Sequence, residues 1–124
     1  MEPIGRTLWV IPEGYIPPGS MPGADRALVS HEAACILNTG EEPAKIEITL
    51  FFSDRDPVGP YELTVEPRRT RHVRFNDLKD PAPVPFGTDY ASVIRSNVPV
   101  VVQHTRLDSR ASEIALMTSV AYPA

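Results

Sequence analysis

The chain has 124 residues, a length that supports one hydrophobic core and not two. Its fourteen prolines are about twice the ordinary share and exclude a helical bundle or coiled coil, because proline removes a helix donor and clashes with the preceding turn. A net charge of −4 argues against a protein whose main task is gripping nucleic-acid phosphates, and a 42 % hydrophobic content arranged in ordered runs argues against disorder.

Read in chain order, proline and glycine cut the sequence into strand-length pieces. The start, Met1-Glu2-Pro3, lacks a basic region followed by an apolar stretch, so no signal peptide is expected. The first expected strand covers 6–11 and the second 33–39, with Cys35 in an apolar run as a small buried hydrophobe. A turn at 40–43 leads into the clearest strand, 45–53, where Ile46, Ile48, Leu50 and Phe52 alternate with polar neighbours and so share one sheet face. Two prolines and a glycine force a turn over 54–60, after which Tyr61, Leu63 and Val65 alternate again. A strand over 68–76 places Val73 and Phe75 on one face and Thr70, His72, Arg74 and Asn76 on the other. Pro81, Pro83 and Pro85 predict a stiff, extended loop over 80–87. Strands over 90–96, 100–107 and 114–122 complete the set, separated in the first case by Pro99. About eight short antiparallel strands describe an all-β, single-domain β-sandwich spanning 1–124. No run approaches the ~20 apolar residues of a membrane helix, and a cytoplasmic protein is expected.

The chemistry on offer is limited. His31, His72 and His104 lack the local spacing of a zinc site, so no metal is expected, and phosphate-loop and dinucleotide glycine signatures are absent, so no cofactor is expected. Nothing resembles a nucleophile elbow, which points away from an enzyme. Two strand faces are more informative. Over 100–108 one face reads Val100, Val102, His104, Arg106, Asp108, so an apolar face becomes charged partway along. Charges on a sheet face are exposed, matched with carboxylates or covered by a ligand. A polar pocket built from Arg74, Asn76, His104 and Arg106 is the expected binding site. Trp9, the one tryptophan, offers an indole as a flat wall to a sugar ring. The alternative reading is a DNA-binding transcriptional regulator using the segment 68–74, which carries four arginines in seven residues.

Several long phrases carry a resemblance. They are Ile4-Gly5-Arg6-Thr7 with Trp9, Glu13-Gly14-Tyr15-Ile16-Pro17-Pro18, Ser30-His31-Glu32, Cys35-Ile36-Leu37-Asn38 and Val58-Gly59-Pro60-Tyr61. The longest are His72-Val73-Arg74-Phe75-Asn76-Asp77-Leu78 and Gln103-His104-Thr105-Arg106-Leu107-Asp108-Ser109-Arg110. In this order, from about residue 4 to 122, they resemble the Anabaena-type sensory rhodopsin transducer family; the loop 19–29 matches least. The resemblance implies a β-sandwich protomer that forms a homotetramer. It also implies a signalling role at the cytoplasmic face of a sensory rhodopsin, or the binding of a small sugar-like molecule. DNA binding has been suggested for the founding member. The family carries no established catalytic residue to transfer, but because the resemblance includes their surroundings, Trp9, His31 and Glu32 are the outer candidates for the site.

Overall fold

The computed structural model describes residues 2–124. Eight strands form: β1 (Arg6–Gly14), β2 (His31–Asn38), β3 (Ala44–Phe52), β4 (Val58–Val65), β5 (Arg69–Arg74), β6 (Tyr90–Asp108), β7 (Ala115–Val120) and β8 (Tyr122–Pro123). Every pairing is antiparallel. The expected all-β antiparallel architecture is present, but the eight strands divide differently from the sequence reading.

The difference centres on β6. Pro99 was expected to separate two strands, yet one 19-residue strand runs through it. Residues 90–96 pair with β3 and β1, while residues 101–107 pair with β2 and 103–108 with β7. Pro99 falls where the strand leaves one set of neighbours for the other, so its missing N–H deprives no ladder of a bond. The first layer is therefore β4-β3-β6-β1-β8 and the second is β5-β2-β6-β7, joined through β6.

The chain end departs in the opposite sense. Residues 114–122 alternate well enough to suggest one strand, but every residue of β7 is exposed, so that alternation marks no buried face. At Ala121, which is buried and donates its N–H to the Val102 carbonyl, the chain crosses from the second layer to the first. Tyr122 and Pro123 then pair with Val10 and Trp9.

The core lies between the layers. From the first come Trp9, Ile11, Ile46, Ile48, Leu50, Tyr61, Val65 and Ile94; from the second come Ala34, Ile36, Val73, Val100 and Val102. Each fully buried aliphatic side chain contributes about 1.5–3 kcal/mol. Loops close the ends. Residues 75–77 form a short 3-10 turn rather than continuing β5, and this burial of Phe75 turns the chain beside β2. The proline-rich stretch over 80–87 is free of helix and strand as expected, and Tyr61 donates its hydroxyl to the Ala82 carbonyl at 2.6 Å. Gly5 is required by its backbone: φ is +107°, and a Cβ there would lie 1.9 Å from the Val100 carbonyl oxygen.

Candidate functional site

Alternation along β2 sends Glu32, Ala34, Ile36 and Asn38 toward the opposite layer, and all four are fully buried. Three are ordinary: two apolar side chains, and an amide whose Nδ2 donates to the Glu42 and Val65 carbonyls. Glu32 is the exception, because an isolated carboxylate in that setting would be strongly penalised. Its partners come from β6. Arg106 is its cross-strand neighbour, and His104, two residues earlier, shares the same face opposite the small Ala34. Arg106 Nη2 donates to Glu32 Oε1 at 3.1 Å, and His104 Nε2 lies 2.8 Å from Glu32 Oε2. The Tyr15 backbone N–H also donates to Oε1, at 2.5 Å.

The network continues outward. Arg106 Nη2 also donates to Glu13 Oε2 at 2.5 Å, and the guanidinium stands 5.8 Å from the centre of the Tyr15 ring. Burial opposes the Arg106 charge, but hydrogen bonds to Glu32 and Glu13 outweigh it and hold the group more firmly protonated than a free arginine. Beside the cluster, burial pushes the Tyr90 hydroxyl far above the usual tyrosine range, and the Glu32 charge adds to the effect. The Tyr90 hydroxyl and Arg106 Nε are buried with no hydrogen-bond partner among the described residues. Two donors of the cluster are therefore unspent.

Asn76 frames this centre without taking part in it. Its Oδ1 accepts from the Glu32 backbone N–H at 3.3 Å and its Nδ2 donates to the Ser30 carbonyl at 3.0 Å, so the 3-10 turn fixes the start of β2. Ser30 Oγ accepts from the Ser109 backbone N–H at 3.0 Å, tying the far end of β6 to the same point.

A groove of about 630 Å³ opens from the cluster between β1 and the β7–β8 segment. Ile11, Val120 and Tyr122 give it apolar walls, while Glu13, His104 and Ser119 give it polar ones. Glu13 is the solvent-facing end of the network, with a side chain two-thirds exposed.

The seven residues singled out from sequence thus fall into three places. Glu32, Asn76, His104 and Arg106 come together. Arg74 and His31 lie across the β2–β6 layer, lining a different basin on its outer surface. Trp9 belongs to the core of the first layer, where its indole N–H donates to the Val100 and Arg6 carbonyls at 2.9 and 3.1 Å, so it offers no wall to a sugar. Cys35 is not a core hydrophobe either: as an odd position of β2 it faces the outer surface and is half-buried. Glu13 and Tyr15 were missed as site residues. Glu13-Gly14-Tyr15 stood in a matching phrase, but only the fold brings it to Arg106.

Among the described residues no group of three or more His, Cys, Asp or Glu side chains could hold a metal ion. No helix is long and apolar enough to cross a membrane. The arginine-rich run over 68–74 is dispersed: Arg71 donates to the Thr64 carbonyl, Arg74 to the Arg26 carbonyl, and the two lie on opposite faces of β5. Nothing in that arrangement favours the DNA-binding alternative.

The arrangement has known counterparts. Over residues 4–123 the chain matches the family described as the Anabaena sensory rhodopsin transducer. The chain belongs to this family. A solved structure named "Anabaena sensory rhodopsin transducer" is 60 % identical, with a TM-score of 0.72, covering 85 % of this chain and 99 % of that one. A second solved structure, Thermotoga maritima 1070, is 41 % identical, with a TM-score of 0.85, covering 97 % of this chain and 96 % of that one. No curated protein matches. The phrases that carry the resemblance to the transducer family include every member of the network, Glu13, Tyr15, Glu32, His104 and Arg106, and Asn76 beside it.

Proposed function

We propose that this chain is a non-enzymatic signalling module, a single cytoplasmic domain that binds a small polar, sugar-like molecule in the groove between β1 and β7. The observation that carries the reading is the continuous charged network from buried Glu32 through Arg106 to exposed Glu13 at the groove. A neutral polyol needs acceptors and donors side by side, and the Glu13 carboxylate and the Ser119 hydroxyl on the groove supply both. Tyr122, two-thirds exposed on the groove wall, takes the stacking role that Trp9 cannot fill.

The test is a thermal-shift panel of neutral sugars on the wild type and on Glu13→Gln. Glu13 is the right position because its substitution leaves Glu32 paired with Arg106 and His104. A sugar at a hundredfold its dissociation constant stabilises the wild type by about 2.7 kcal/mol. The expected result is that this gain is lost in Glu13→Gln. A gain retained in full rejects the groove as the site, and no gain with any sugar rejects the ligand class.

A second reading concerns partners. The 60 % identical structure is named as a sensory rhodopsin transducer, which supports docking at the cytoplasmic face of such a receptor. The exposed apolar strand β7 supports self-association, with a homotetramer as the proposed state.

A further inference from the structure

The outer surface of the second layer carries a depression that the buried network does not use. Its form follows from the register. On the central strand β2, Ala33 and Cys35 face outward with short side chains. Ala33 lies between Arg74 of β5 and Thr105 of β6, and Cys35 lies between His72 and Gln103. Short side chains in the middle strand and long polar ones on both flanks produce a trough, of about 500 Å³, closed at its end by His31 and Arg26. That volume suits a small metabolite.

The trough has a definite electrical character. No carboxylate lines it. Burial, and after it the nearby Arg26 charge, works against the Arg74 charge, and Asp77, bonded to Arg26 at 2.8 Å, offsets them in part. Two guanidinium groups against one carboxylate leave a net positive charge among these three groups. Arg74 spends Nη1 on the Arg26 carbonyl at 2.8 Å, and the rest of its fork has no partner among the described residues. The His72 ring makes no hydrogen bond among the described residues. His31 Nδ1 donates to the Val29 carbonyl at 2.7 Å, which fixes the ring at the end of the trough.

We infer that this trough is a binding site for a small phosphorylated anion, with Arg74 and Arg26 as the charged contacts and His72 and Thr105 as hydrogen-bonding ones. A guanidinium fork matches two phosphate oxygens at once, and hydroxyl and imidazole groups around it complete the coordination of a tetrahedral anion. The site lies across the sheet from the sugar-binding groove and does not depend on it.

The experiment is an amide-resolved NMR titration of the full chain with inorganic phosphate, then with glucose 6-phosphate, against sodium chloride at matched ionic strength. The expected result is saturable movement of the amides of Ala33, Cys35, His72 and Thr105, with sodium chloride leaving them in place. Arg74→Gln weakens the apparent affinity about tenfold, since it removes a charge-assisted contact. Should Arg74→Gln fold poorly, Arg26→Gln and His72→Gln, both at exposed positions, give the same reading. Tighter binding of glucose 6-phosphate than phosphate identifies an ester as the ligand; equal binding identifies the free anion. Movement reproduced by sodium chloride, unchanged affinity in these variants, or movement centred on Glu13 and Ser119 would overturn the assignment.

Discussion

A carboxylate with no exposed surface persists only if its donors are supplied by the fold, and Glu32 has three: Arg106, His104 and the Tyr15 amide. Removing one partner of such a pair leaves an uncompensated buried charge, which costs more than the pair itself contributes. Arg106→Ala is therefore expected to lower stability by about 2–3 kcal/mol, less than for a fully enclosed pair because its side chain is one-fifth exposed. Urea unfolding checks this, and a loss under about 1 kcal/mol would mean that Glu32 is neutralised some other way. Arg106 is accordingly a poor probe of ligand binding, whereas Glu13 is a good one. Tyr90 makes the converse case. Its hydroxyl is buried without a partner, so Tyr90→Phe is expected to match or exceed the wild type by up to about 1 kcal/mol at neutral pH. The folded protein holds the Tyr90 proton more tightly than the unfolded chain does. Its contribution to stability is thus intact below the unfolded value near 10 and falls as pH rises above it, by about 1.4 kcal/mol per pH unit. Unfolding measured from pH 9 to 11 is expected to show that decline in the wild type and a shallower one in Tyr90→Phe. Tyr61, also raised by burial, keeps part of the slope. Equal slopes would show that Tyr90 is not responsible.

At the scale of elements, period-two alternation identified β3, β4 and the charged end of β6, because one face of each packs against a core. It failed where that condition fails. On β7 alternation exists with no buried face, and at Pro99 a breaker sits where no ladder bond was needed. The same logic explains the divided site. Strand parity assigns Arg74 and His104 to faces of their own strands, but it does not say which face of one strand matches which of another. That is settled by pairing register, which places His104 beside Glu32 and Arg74 on the far surface. β7 also carries its own prediction. Leu116 and Val120 are about two-thirds exposed and share one face of a strand paired on one side only. Edge strands of this kind invite pairing with another chain. Leu116→Lys with Val120→Lys is expected to leave the thermal midpoint within a few degrees while breaking up the proposed homotetramer, read by light scattering after size exclusion. Unchanged mass would reject β7 as the contact.

For the whole molecule, the joining of two layers through one strand sets the geometry of everything else. The inner face of residues 100–106 supplies Val100, Val102, His104 and Arg106 to the core and network. The outer face supplies Gln103 and Thr105 to the trough. Two surfaces with different chemistry are thus read alternately from the same seven residues. A length change is consequently not tolerated there, however mild the residue inserted. Deleting one residue after Pro99 would exchange the faces, driving Gln103 and Thr105 into the core while carrying His104 and Arg106 out and abandoning Glu32. The loops over 19–29 and 53–57 carry no such constraint. Across descendants of this sequence, insertions and deletions should accumulate in those loops and stop at the borders of β6, a record of reading frame kept by the sheet rather than by the gene.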